Sequence, residues 1–209
     1  MEWNSNLSNY SDKSMQVPII SDGTATKKET SQFLKDFPDI RPLKFKDLSD
    51  IQSKSCNEFT CGNPGIDNFL SHGDGLKFHI DRNKMDCMIM STETKVLAYM
   101  AYSKKEATFY IPKYCSPDLF KQVGLKKHDQ VLVIHYLAVD KSCQKKGLGK
   151  ALALKALDFG LKHAKKDPSL RLIVLHATPE ACSFYENLGF DRIGNVDENL
   201  VEYAYTLTE

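Results

Sequence analysis

Gln144-Lys145-Lys146-Gly147-Leu148-Gly149-Lys150, QKKGLGK, lies between two segments of different character. Before it runs VLVIHYLAVD, residues 131–140, a dense apolar segment that reads as a buried strand. After it runs ALALKALDFGLKHA, residues 151–164, free of Gly and Pro until Gly160, which reads as a helix over about 148–164. Glycine turns the chain tightly and lets the backbone approach a ligand with no Cβ in the way. The first amides of a helix lack intrahelical acceptors and carry partial positive charge. Strand, glycine turn and helix therefore make a cradle for a phosphate or pyrophosphate, and Lys145, Lys146 and Lys150 add charge around it. The spacing matches neither the GxxxxGK[ST] loop of ATP-binding proteins nor the GxGxxG dinucleotide pattern. A plain turn with solvated lysines answers to the same residues, so the stretch by itself leaves both readings open.

Downstream, LRLIVLHA (170–177) reads as another buried strand, and PEACSFYENLG (179–189) as a helix opened by Pro179 and closed by Gly189. FDRIG (190–194) and LVEYAYTLT (200–208) read as strands. Upstream, DCMIMST (86–92) and KVLAYMAYS (95–103) form a hairpin turning near Glu93 and Thr94. FTCGNPGIDNFL (59–70) reads as a turn entering a helix, with Asn63 as cap, Pro64 in the first turn, and Ile66, Phe69 and Leu70 as its apolar face. Gly73 and Gly75 interrupt it, and KFKDLSDIQSK (44–54) holds a short helix. Between 103 and 130, ATFYIP reads as a strand and KYCSPDLFKQVGLKKHDQ as a loop or short helix. The order predicts an α/β (α+β) fold, a mixed sheet covered by helices. Residues 1–36 are rich in Ser, Asn, Asp, Thr and Lys and read as a polar, flexible extension; the domain is expected over 37–209.

The 209 residues suffice for one domain with a sizeable core, and 42% hydrophobic with 26% charged residues is a globular profile. A formal charge of +1 supplies no bulk attraction for nucleic acid. No apolar run reaches the ~18 residues of a membrane helix, so no membrane partner is expected, and the N-terminus does not resemble a signal peptide. Cys56, Cys61, Cys87, Cys115, Cys143 and Cys182 include no CxxC pair, which argues against a metal site. Scattered thiols without a secretion signal point to the reducing cytoplasm.

Two signatures in order carry a resemblance. LAVDKSCQKKGLGKALALKAL, with Leu137, Val139, Gln144, Gly147 and Gly149, resembles motif A of the GNAT superfamily, the GCN5-related N-acetyltransferases: a strand ending L-x-V, then [RQ]-x-x-G-x-[GA] opening a helix. Beginning 28 residues after Gly149, ATPEACSFYENLGF is similar to the family's A-x-x-F-Y-x-x-x-G-F through Ala181, Phe184, Tyr185, Gly189 and Phe190. The resemblance implies the GNAT fold, a largely antiparallel sheet flanked by helices with parallel strands splayed at the cofactor site. It implies acetyl-CoA as cosubstrate and no metal. The backbone of Leu137, Ala138 and Val139 would flank the pantetheine, and residues from Gln144 through Lys150, Leu148 included, would hold the pyrophosphate. Thr178 stands where many relatives have Asn.

Tyr185 falls on the family's tyrosine, a general acid toward the departing thiolate; a phenol, with a pKa of about 10, carries its proton at pH 7. The splay would offer a backbone N–H to the thioester oxygen. No base announces itself. His135, on the face of Leu137 and Val139 by strict alternation, and His176 are histidines that either relay protons or pack in the core. Glu93, Glu106 and Glu180 remain unplaced.

The expected reaction is acetyl transfer to a primary amine by direct attack on the thioester. Phe59, Cys61, Gly62, Ile66, Phe69 and Leu70 are also similar to a stretch in a GNAT subgroup that includes bacterial toxins acetylating aminoacyl-tRNA. That resemblance adds tRNA and an antitoxin to the partners; Lys126, Lys127, Lys145, Lys146, Lys162, Lys165 and Lys166 would form a basic patch for tRNA or stand as solvated surface. A non-catalytic acetyl-CoA-binding module is a third alternative, and a homodimer is compatible with each.

Overall fold

The structure, a computed structural model, describes residues 41–108, 124–126 and 128–207. The 1–36 extension and most of the segment 109–127 lie outside the described residues. Strands β1 (Arg41–Lys44), β2 (Asp86–Ser91), β3 (Val96–Glu106), β4 (Gln130–Val139), β5 (Leu170–Ala177), β6 (Asp191–Asn195) and β7 (Val201–Thr206) form one sheet, in the order β1-β2-β3-β4-β5-β7-β6. Among the described residues only β4 and β5 pair parallel; the other neighbours are antiparallel. This is the mixed, largely antiparallel α/β architecture that the sequence predicts. Two expectations change. Arg41–Lys44 adds an edge strand, and Ala107 and Thr108 leave β3 in helical conformation instead of beginning a new strand.

Among the described residues, five α-helices flank the sheet: α1 (Asp50–Ser55), α2 (Pro64–Ser71), α3 (Leu76–Asp81), α4 (Leu148–Ala164) and α5 (Cys182–Glu186). Ser49 and Gln52 close a capping box on α1, and the Gln52 amide donates to Ser91 Oγ at 2.9 Å and to the Thr92 carbonyl at 2.7 Å, fastening the helix to the β2–β3 turn. Asn63 Oδ1 accepts from the amides of Gly65 and Ile66 and starts α2, as its sequence predicts. The expected helix at 179–189 is divided: Pro179–Ala181 is a 3-10 turn, and α5 follows.

Helix α4 covers one sheet face, burying Met100, Ile134, Leu137, Val139, Ile173 and Leu175. On the other face α2 and α3 bury Ile89, Tyr99, Ala101, Tyr136 and Ala138, and the Tyr99 hydroxyl donates to the Ile66 carbonyl at 2.9 Å. Two irregularities in β4 position everything that follows. Against β3, Ala101 pairs with Tyr136 but Tyr102 pairs with Ile134, so His135 is an extra residue bulged out of the ladder. Against β5, pairing ends at Ile134–Leu175, and His135 through Val139 have no β5 partner. Beyond that pair β5 is joined only to β7, through His176–Glu202 and Ala177–Val201. The two parallel strands thus open into a fork.

The bulge overturns the strict alternation predicted for His135. Leu137 and Val139 face α4. His135 Nε2 lies 2.7 Å from Ser103 Oγ, and Ser103 shares its face with Ala101, away from α4.

Gly75 joins α2 to α3 with a backbone that leaves no room for a side chain: a Cβ there would sit 2.2 Å from the Phe69 carbonyl oxygen. Gly75→Ala is expected to destabilise the fold by about 1–3 kcal/mol, read as a lower urea midpoint with an unchanged m-value.

Candidate functional site

The fork empties into the loop that begins at Asp140. Asp140 is buried. Its amide donates to the Leu97 carbonyl at 2.8 Å, and its carboxylate accepts from Ser142 N (3.0 Å), Ser142 Oγ (2.5 Å), Lys95 Nζ (3.1 Å) and Thr60 N (3.4 Å). Burial raises the pKa of this carboxyl, but the hydrogen bonds from Ser142, Lys95 and Thr60 outweigh it and hold the group below the usual carboxylate range. The stability this contributes is present above the ordinary carboxylate pKa and is lost as pH falls through the lowered one.

Gln144 turns its side chain inward. Its Nε2 donates to the Cys61 carbonyl at 2.8 Å and to the Val139 carbonyl at 3.1 Å, while Lys141 N donates to the Thr60 carbonyl at 2.8 Å. The segment entering α2 and the end of β4 are therefore clamped to one loop. Gln144, assigned by resemblance to cofactor contact, has its side-chain amide engaged within the protein.

After that clamp the chain passes through two left-handed residues, Lys145 at φ +61° and Gly147 at φ +84°. Gly147 takes this conformation without strain; for Lys145 it costs about 1–2 kcal/mol. The first backbone hydrogen bond of α4 runs from Ala151 N to the Gly147 carbonyl at 2.9 Å. Among the described residues nothing accepts from the amides of Lys145, Lys146, Gly147, Leu148, Gly149 and Lys150. Such a run of unsatisfied N–H groups at a helix start suits an anion. Lys145 and Lys146 are exposed and Lys150 half-buried, and Lys146 Nζ folds back onto the Ser142 carbonyl at 2.9 Å.

Leu137 and Val139 bury their side chains beneath α4, and Ala138 faces α2, so what β4 offers to the fork is its backbone. Thr178, buried at the end of β5, heads the 3-10 turn, and its carbonyl accepts from Ala181 N at 2.9 Å and from the Cys182 thiol at 3.5 Å. Tyr185 is fully buried in the same cluster as Leu137, Val139 and Leu148, edge-on to Phe184 and Phe190 at 5.0 and 5.6 Å. Its hydroxyl has no hydrogen-bond partner among the described residues. A buried hydroxyl left unpaired costs roughly 1–3 kcal/mol, a cost that a bound ligand can relieve. Burial pushes the phenol above its ordinary pKa, so it keeps its proton at neutral pH.

The remaining candidates separate. Glu106 ends β3 opposite Gln130, at the far end of β4 from the fork, while Glu93 and Glu180 are exposed in turns. His135 is pushed down to about 3, by burial first and then by Lys105, His79 and His176, and is neutral at pH 7. Of the two readings of the lysines, patch or solvated surface, the spacing along α4 favours the second. Lys162, Lys165 and Lys166 sit at the C-terminal end of α4, about 20–25 Å along the axis from Lys145 and Lys146; Lys162 pairs with Asp158 at 2.6 Å, and Lys127 lies outside the described residues. No group of three or more metal-ligating side chains occurs among the described residues. Sequence reading passes over the Lys95–Asp140 pair, for which only the Asp140-x-Ser142 turn pattern is a signal. It also passes over Glu202, a carboxylate fully buried 3.9 Å from His176 Nε2.

Gln144→Ala strips hydrogen bonds from two carbonyls at once. It is expected to destabilise the protein by about 1–3 kcal/mol, measured as a lowered Tm.

Compared with curated proteins, the chain has no match. Solved structures of similar fold include a Tyr-to-Phe variant of the toxin AtaT bound to the C-terminus of the antitoxin AtaR and acetyl-CoA, at 20% identity and TM-score 0.62 over 81% of this chain and 94% of that one. AtaT complexed with acetyl-methionyl-tRNAfMet matches at 19% identity and TM-score 0.60, over 78% and 94%. A Tyr-to-Phe variant of KacT matches at 20% and 0.61, over 81% and 95%. At these identities the likeness is one of fold. The model of the Acetyltransferase (GNAT) family matches residues 55–190, well over half of the chain and the whole of the fork, loop and Tyr185, and the protein belongs to that family of N-acetyltransferases.

Proposed function

We propose that the protein binds acetyl-CoA in the fork between β4 and β5 and transfers the acetyl group to a primary amine by direct attack on the thioester. The observation that carries this reading is the unbroken run of acceptor-less amides from Lys145 to Lys150, set where β4 has parted from β5. A pyrophosphate supplies the acceptors those amides lack. The exposed backbone edge of Leu137, Ala138 and Val139 then pairs with the pantetheine amides, with the Thr178 hydroxyl on the opposite strand. Gln144 holds the loop in shape, and Tyr185 donates its proton to the departing sulfur. AtaT, similar in fold, is known with acetyl-CoA bound. The free thiols among the described residues suit a cytoplasmic setting.

A narrower acceptor reading is favoured by one specific observation: AtaT is known in complex with acetyl-methionyl-tRNAfMet. An aminoacyl α-amine has a pKa near 8 and is ~10% neutral at pH 7, so it asks less of a base than a lysine amine near 10.4. On this second reading the acceptor is charged tRNA, and growth arrest on expression is relieved by Tyr185→Phe.

Thiol release from acetyl-CoA, measured against an amine panel that includes charged tRNA, tests both readings. Acetyl-CoA binding with no transfer to any acceptor would favour a non-catalytic module instead. Gly147→Glu places bulk and negative charge in the cradle and is expected to abolish acetyl-CoA binding by calorimetry; unchanged affinity would count against the site. Tyr185→Phe is expected to lower kcat by about 10²-fold or more while leaving the acetyl-CoA Kd within about twofold.

A further inference from the structure

The last parallel pair, Ile134–Leu175, is followed on each strand by a histidine: His135 on β4 and His176 on β5. Both lie on the face turned away from α4. His135 is placed there by its bond to Ser103, and His176 by alternation with Leu172 and Val174, which pack away from α4. Tyr185 belongs to the opposite, α4-side core. The fork thus has the phenol on one face and two imidazoles on the other. An amine adds to the face of a trigonal thioester carbon, and the imidazoles lie on the sheet face opposite Tyr185.

The two histidines are not equivalent. His135 is engaged with Ser103 at 2.7 Å, and the charges nearest to it, Lys105 and His79 among them, oppose a further proton. His176 has Glu202 beside it, directly across the β5–β7 ladder, with Nε2 and Oε1 3.9 Å apart. Glu202 is 0% exposed, whereas the His176 side chain keeps 18% of its surface in contact with solvent. At 3.9 Å Glu202 lies close enough to orient the ring and to face the positive charge it carries after taking a proton. With Nε2 directed at Glu202, Nδ1 is the nitrogen left to accept, and it has no partner among the described residues. His135 from β4 and Glu202 from β7 are titratable groups beside the ring.

Resting on the acetyl-transfer reading above, we infer that His176 is the general base of the reaction and Glu202 its positioning residue. Nδ1 takes one proton from the acceptor ammonium, and the imidazolium so formed is balanced by Glu202. The freed nitrogen lone pair forms the C–N bond as the C–S bond breaks. The sulfur receives the Tyr185 proton; on the other face the new amide nitrogen loses its second proton to solvent, and solvent returns one to the phenol. His176 then returns its proton to solvent, so each turnover releases one proton.

The test is kcat/KM against pH for His176→Gln and Glu202→Gln, with bulk aminoacyl-tRNA and short peptides bearing free N-termini as α-amine acceptors. At pH 7 His176→Gln is expected to lose about ten- to a hundredfold. By pH 9, where the α-amine is already neutral, the loss is expected to shrink to about threefold or less. Glu202→Gln is expected to show a smaller loss with the same pH pattern, and both variants should keep the wild-type Kd for acetyl-CoA. A variant as active as wild type at pH 7, or a loss that is the same at pH 7 and 9, overturns the assignment while leaving acetyl transfer intact. Wild-type protein that transfers to no acceptor overturns the proposed function and this inference together.

Discussion

Two parallel strands that stop pairing halfway along impose a debt on the backbone that the rest of this molecule is arranged around. After Ile134 and Leu175, β4 loses its neighbour on one side while it remains in register with β3 on the other, down to Val139–Ala98. Buried peptide groups without partners are costly and rare in native proteins. The bulge at His135 supplies the local twist that lets the strands diverge, and it inverts which residues face α4 beyond that point. A family whose cosubstrate carries an amide-bearing pantetheine arm has a natural use for such an edge.

Holding the fork open requires that the loop at its mouth stay rigid, and polar contacts do this. Asp140 gathers Lys95, Thr60 and Ser142 around one buried carboxylate, while Gln144 bridges the Cys61 and Val139 carbonyls. These contacts come from the β2–β3 turn, the entry to α2, and the end of β4, which are far apart in sequence. With those ends fixed, the strained left-handed turn at Lys145 and Gly147 has a defined starting point. Preorganisation of this kind lowers the ordering cost of ligand binding.

Much of this was legible in the residues. The 148–164 helix follows from a long periodic run behind two glycines, and α2 from Asn63-Pro64 and three apolar positions, because each element is specified by neighbours close in sequence. Tyr185 and the glycine loop were marked by motif. What stayed hidden depends on partners far away in the chain. Strict alternation placed His135 on the wrong face, since nothing in VLVIHYLAV announces an extra residue against β3. Arg41–Lys44 is only four residues long and contains Pro42, a pattern that an edge strand tolerates but does not advertise. The motif position of Gln144 says nothing of the two carbonyls its side chain meets. Glu202 sits in LVEYAYTLT like any exposed strand carboxylate; its burial arises only from the strands packed beside it.

The thiols that line the α2 side of the sheet bear on the chemical safety of such an enzyme. A protein that handles a thioester is exposed to trans-thioesterification by its own cysteines, and only the thiolate form attacks. Burial pushes Cys56 up to about 11, and burial together with Asp67 pushes Cys61 up to about 12. Cys87 is raised well above its ordinary value by the same exclusion of water. At neutral pH these three sulfurs are held almost wholly as S–H groups, so the thiols packed beneath α2 are poor competitors for the acyl group.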